Sequence, residues 1–413
     1  MILSITENKI EPIKIYILFY ILIFPLDLSN WMMSVLSMIL LLWWLIVGKN
    51  KGYFIKLKEI FYNKPLILFI LFILFAYISL LWSDNWTRGF KELNYYKYYW
   101  IMIPVLFTTL NKKDIKLAFY ALILSFGIYS IYSLLIFLGL FEIKDSNHLN
   151  PKGHIAYSVV TAYFALNTIF AFYFYIMEES SKKIKYLLLF ISIVSFFALI
   201  VNNGRIGQFS FLVTLFVLIF YYRKYLYKYK KLFISIIVVL ILGISFLYST
   251  KKLDRYVTGF NELVYSYQNN DFVGSWGPRL FMWYVGKENI PNNLIFGAGV
   301  GDYYDDIIEY VKENPNKLKH DIIGYHNQHL DYLAKFGIFG YLIFLSSVFV
   351  LLRQLYLKDK YFFTLGIIFF SIVLINSIGN ENLTGKPFNT TYALVFILLS
   401  IVVHSPNKKN KEK

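Results

Sequence analysis

Long apolar runs alternate with short polar, lysine-rich segments along almost the whole chain. Read as helices that must cross hydrocarbon, they give spans near 13–28, 31–47, 65–82, 93–110, 117–140 and 154–177. Six more lie near 186–201, 207–222, 232–249, 337–352, 361–378 and 390–404. Several fall short of the roughly 20 residues that cross a bilayer untilted, so their ends are soft by a few positions. The pattern predicts an all-α polytopic membrane protein of about 12 transmembrane helices. One segment breaks the rhythm. Residues 250–336 carry 9 Lys+Arg and 11 Asp+Glu, with Pro278, Pro291 and Pro315. A connection of that length predicts a small folded subdomain between the ninth and tenth helices. The expected division is 1–249 for nine helices, 250–336 for the loop subdomain, and 337–413 for the last three helices and a basic tail. No internal repeat is visible.

Composition agrees with the pattern: 58% of residues are hydrophobic, 16% are charged and mean hydropathy is +0.53, more apolar surface than a soluble domain of this size can hide. The aromatic share of 20% suits belts at the two membrane surfaces. A net charge of +16 would suggest nucleic acid in a soluble protein. Sorted by loop, it reads differently. Stretches 1–14, 48–64, 111–116, 178–185, 223–231, 353–360 and 405–413 hold 25 Lys+Arg, whereas the short alternate loops hold 6. That bias places both termini in the cytoplasm and removes the case for a nucleic-acid partner. The first apolar run contains Asp27 and lacks a small-residue cleavage site, so it reads as a retained span. With no cysteine, the chain has no disulfide, no zinc–thiolate or iron–sulfur site and no cysteine nucleophile.

Three basic or titratable residues on the expected outer face sit close to membrane boundaries. Arg205, in VNNGRIGQFS, occupies the turn between the seventh and eighth spans. It is either an arginine snorkelling from a helix end or an anion ligand at a helix first turn, where free N–H groups also favour phosphate. Arg279, in GSWGPRLFMWYVG, follows a Gly-Pro turn and precedes aromatics, so it reads as an interfacial anchor or a second anion ligand. His326 opens HNQHLDYLAKFGIFG just before the tenth span. It is a solvated helix-start residue or a general base, since a neutral imidazole can take a proton from a hydroxyl. Asn327 and His329 are possible supporting residues. A zinc site from His320, His326, His329 and Asp331 matches no metal-ligand spacing, so no metal and no cofactor are expected. GAGVGD at 297–302 lacks the strand–turn–helix context of a dinucleotide fingerprint and reads as a turn. Asp302, Asp305, Asp306 and Glu309 read as a solvated helix face. Asp84 and Arg88, in LWSDNWTRGF, read as caps on the third and fourth spans, with Arg88 a possible supporting residue of the site.

Together these segments resemble the bacterial O-antigen ligase family. HNQHLDYLAKFG fits that family's pattern of His, then Asn, Ser or Gln, then nine residues, then Gly, here Gly337. The family often continues Gly-Thr-Val where this chain has Gly-Ile-Phe-Gly. NNGRIGQF and the run from PRLFMWYVG to GAGVGDYY resemble its two arginine segments. The resemblance implies transfer of a polysaccharide from undecaprenyl pyrophosphate to a sugar hydroxyl of lipid A–core. The reaction lies at the periplasmic face of the bacterial inner membrane and needs no ATP. It implies His326 as general base and Arg205 and Arg279 on the donor diphosphate. An O-antigen polymerase, or a protein O-oligosaccharyltransferase, would use the same donor; polymerases often carry two sizeable outer loops, and this chain has one. A lipid-linked oligosaccharide transporter is disfavoured because the spans hold almost no mid-membrane charge.

Overall fold

The computed structural model describes residues 10–178, 181–224, 245, 248, 254–272, 274, 276–313 and 324–404. These residues are helical throughout, with isolated β-bridges only at Ile143–Ser146 and Asn147–Asn150. Six helices are long and apolar enough to cross a membrane: Asn30–Gly48, Lys64–Trp82, Lys112–Phe137, Tyr157–Met177, Lys182–Val201 and Gln328–Lys358. Pro12–Leu26, Arg205–Tyr221, Lys360–Asn376 and Pro387–Val403 are shorter apolar helices. The expected ninth span lies almost wholly outside the described residues, as does His320. Where a span was expected over 93–110, the helix is only Tyr99–Thr109, preceded by a separate amphipathic helix Trp86–Leu93.

Local chemistry sets the helix ends. Ser29, Asn63, Asn85, Asn111, Asn327 and Asp359 each accept a backbone N–H of the first turn from their side chains. At a membrane boundary those N–H groups would otherwise face partial desolvation. Pro12, Pro65, Pro278 and Pro387 sit in first turns, where a missing N–H costs nothing.

The loops gather in two sets. Lys14 pairs with Asp114, Lys51 with Glu11, Lys112 with Asp359, Lys116 with Glu178 and His404 with Glu59, joining the lysine-rich loops to one another. In the other set, Asn203 donates to Leu149 O, the backbone N–H groups of Asp84 and Asn85 donate to Asp302, and Arg279 donates to Gly379 O. Residues 272–334 hold an apolar core of their own, built around Phe281, Met282, Val285, Ile307, Tyr325 and Ala334.

The helix Gln328–Lys358 is broken at Gly337, whose φ of 62° and ψ of −171° are open only to glycine. A continuous helix would pair Ile338 N–H with Ala334 O and Phe339 N–H with Lys335 O. Instead Ile338 N–H donates to Leu294 O at 2.8 Å and Phe339 N–H to Ile295 O at 3.1 Å. The two released carbonyls accept from Ala298 N–H at 2.8 Å and Gly299 N–H at 3.1 Å. Segment 294–299 thus satisfies these four groups, which lipid cannot do. This is also what GAGVGD does. Gly297 has φ 76°, and a Cβ there would run into the backbone of Lys335 and Phe336.

Candidate active site

In NNGRIGQ, nearly every polar letter locks the turn. Asn202 Nδ2 donates to Ser133 Oγ at 2.8 Å and Ala198 O at 3.0 Å, and Gln208 Nε2 donates to Leu199 O at 2.9 Å and Asn202 O at 3.1 Å. Side chains at Gly204 or Gly207 would collide with Thr161 of the neighbouring helix, so these glycines let the two helices close up. Arg205 becomes the first residue of the helix Arg205–Tyr221. Its guanidinium reaches across to helix Asp254–Asn269, where Gly259 leaves the space that Nη1 occupies. The indole of Trp276 lies against the same glycine. Tyr256 of that helix donates to Gln208 Oε1, which ties the two elements together.

Arg279 lies in the first turn of helix Gly277–Asn289. Gly277 is required because Phe272 backbone packs where its Cβ would be, and Pro278 presets the helix start. The Arg279 guanidinium lies 5.6 Å from the centroid of Trp276, and its Nε donates to Gly379 O at 3.3 Å. Trp276 therefore lies near both arginines. Both cations stand at helix N-termini, where the helix dipole adds to the positive potential.

His326 follows Gly324 (φ 90°) and the fully buried Tyr325, and has φ 47° itself. A left-handed backbone is uncommon for a side-chain-bearing residue and marks a position over-determined by its surroundings. The hold comes from Glu381, whose Oε1 accepts His326 N–H at 2.6 Å and whose carboxyl fills the space beside Gly324. Arg279 and His326 are thus docked on one short segment, 379–381. Burial, then the Arg279 charge, hold the His326 imidazole below its ordinary pKa, so it is neutral at pH 7. Burial among other carboxylates pushes Glu381 up to about 8.

The remaining sequence candidates have other occupations. Asn327 caps the helix through His329 and Leu330 N–H. His329 Nε2 donates to Leu374 O at 3.0 Å and Nδ1 accepts from Tyr341 at 2.8 Å, which commits both ring nitrogens. Arg88 donates to Gly301 O at 2.9 Å and pairs with Asp305 at 2.5 Å, docking the outer segment onto helix Trp86–Leu93. Asp302 is not simply solvated, since it accepts the N–H groups of Asp84 and Asn85. Among the described residues no group of three His, Asp or Glu could hold a metal.

Several residues at the site escape a reading by motif. Glu381 is the one acidic residue of the loop sequence GNENLTG, and nothing local marks it. Lys335 is fully sequestered, with Nζ 2.9 Å from both Glu92 and Asp331 and 4.1 Å from the Tyr303 ring centroid. Asp331 also accepts from Gln328, whose Oε1 in turn accepts Leu383 N–H at 2.7 Å. This buried cluster fixes the start of the kinked helix directly beneath the histidine turn.

Residues 190–345 match the family model described as O-antigen ligase, a segment that holds Arg205, Arg279, His326 and Gly337. No curated protein matches the chain.

Proposed function

We propose, from the O-antigen ligase domain over residues 190–345 as premise, that the chain is an O-antigen ligase. It moves a polysaccharide from undecaprenyl pyrophosphate to a sugar hydroxyl of lipid A–core at the periplasmic face of the bacterial inner membrane. The observation that carries this reading is the meeting of two arginines, each at a helix N-terminus, with a histidine held neutral at pH 7.

The acceptor hydroxyl oxygen attacks the anomeric carbon of the donor. Its proton passes to a ring nitrogen of His326 as the new C–O bond forms. The old C–O bond to the diphosphate breaks, and its electron pair stays on the phosphate oxygen. Charge grows there, where Arg205, Arg279 and first-turn N–H groups are already oriented, so stabilisation rises toward the transition state. Arg279 has two effects: it binds the leaving group and disfavours the imidazolium until the proton arrives.

An O-antigen polymerase would run the same chemistry onto a lipid-linked chain. The single long outer segment, 250–336, favours the ligase. Surface glycolipids and lipid-linked intermediates from cells lacking the gene separate the two. Bare lipid A–core with full-length polymer stranded on the lipid carrier is expected, and His326→Ala should copy it. Core bearing one repeat unit would mean polymerase. An unchanged ladder would exclude both.

A further inference from the structure

A cleft of about 440 Å³ opens between helix Gly277–Asn289 and the start of the kinked helix. That is within the size range of sites for small ligands, about 300–1,000 Å³. Trp283, Lys287 and Ile290 line one wall, and Asn327, Leu330 and Leu333 the other. We infer that this cleft binds the acceptor saccharide, the sugar whose hydroxyl His326 deprotonates; the inference rests on the glycan-transfer reading above.

Three observations carry it. The cleft adjoins the base, because Asn327 in its wall is the residue after His326. It is also continuous with the diphosphate ligands. Arg279, Trp283, Gly286 and Lys287 follow i, i+4, i+7, i+8 spacing and so share one helix face, Trp283 about 6 Å and Lys287 about 12 Å along from Arg279. Trp276, under the Arg279 guanidinium, meets Trp283 edge-on at 6.4 Å, so aromatic surface runs from the arginine into the cleft. The third observation is the lining itself. An indole, here Trp283, offers a flat face for the C–H side of a sugar ring. Lys287 is exposed at the rim and makes no ion pair among the described residues, which favours a saccharide bearing anionic groups. A polyprenyl tail fits less well, because helix Gly277–Asn289 is not among those apolar enough to cross a membrane.

The test uses the full chain in lipid nanodiscs, with an undecaprenyl-pyrophosphate glycan as donor and bare lipid A–core as acceptor. Trp283→Ala and Lys287→Ala should each raise the acceptor KM by about ten-fold, with donor KM and kcat near wild type. Leu333→Trp, which fills the cleft and leaves both side chains in place, should do the same. An unchanged acceptor KM in all three overturns the assignment. So does a rise in donor KM instead, or weakened binding of undecaprenyl pyrophosphate lacking sugar. If the wild type transfers nothing, the ligase reading fails on its own account. Direct binding of lipid A–core to the purified protein then still tests the cleft, and equal binding by wild type and Trp283→Ala overturns it.

Discussion

At the scale of single residues, burial and the Arg279 charge act together on His326. Burial and the neighbouring guanidinium both disfavour the imidazolium, so the pKa of His326 lies below its ordinary 6.5. A group with a lowered pKa keeps its base form to more acid pH. The kcat/KM profile should therefore stay level through neutrality and fall only on acidification below 6.5. A midpoint above that value would count against His326 as the base. On the proposed function Arg279 offers a planar fork to the diphosphate, where lysine offers a point charge. Arg279→Lys is expected to lose most transfer activity, about ten-fold or more in kcat/KM, while the protein stays folded. Full activity in that variant would remove Arg279 from the donor site.

Among the elements, the kinked helix Gln328–Lys358 matters most. Its break at Gly337 divides one long run into two pieces, a short helical start that follows His326 and a long apolar rod. Segment 294–299 closes the hydrogen bonds that the break opens. Gly337→Ala must place a Cβ against Ile295 O and Gly297 N in a backbone region closed to alanine. The strain alone costs about 1–3 kcal/mol, and the clash adds to it. A lowered melting temperature in detergent, with loss of transfer, is the expected result. A variant that melts and transfers like wild type would mean that the break is not required. The nine residues between Asn327 and Gly337 are then a length: the chain needed to run from the His326 turn to the point where backbone meets backbone.

Across the whole molecule, two kinds of long-range pairing hold the outer segment on the bundle. Asp302 and Asp305 engage residues 84–88, and Lys335 joins Asp331 to Glu92. Removing the lysine would leave the buried Asp331 and the half-buried Glu92 uncompensated. Lys335→Met should destabilise the protein by about 3–5 kcal/mol, and Glu92→Gln in the same chain should recover part of that. Thermal melts of the single and double variants decide it; additive losses would deny the coupling. The absence of cysteine permits a clean test of orientation. Single cysteines at Lys51 and Lys183 should resist a membrane-impermeant maleimide in intact spheroplasts, and cysteines at Asn150 and Asn293 should react. The reverse pattern would invert the expected topology.

Hydropathy was enough to read most of the apolar helices in order, though over 93–110 the helix is shorter than expected and 232–249 lies almost wholly outside the described residues. Those are local decisions: hydrocarbon supplies no hydrogen-bond partners, so length and polarity of each run settle whether it can cross. Arg205, Arg279 and His326 were legible as candidates because charge beside a greasy boundary is conspicuous, and the glycine at 337 was legible as part of a motif. The sequence did not disclose that Glu381 holds the histidine turn or that Lys335 is buried against Glu92. It did not disclose the reason for Gly337 either. Each is a contact between residues far apart in the chain, Lys335 with Glu92 across 243 positions and His326 with Glu381 across 55. No periodicity or spacing encodes such pairs, since they arise only when separate helices are packed and every buried polar group must find its partner there.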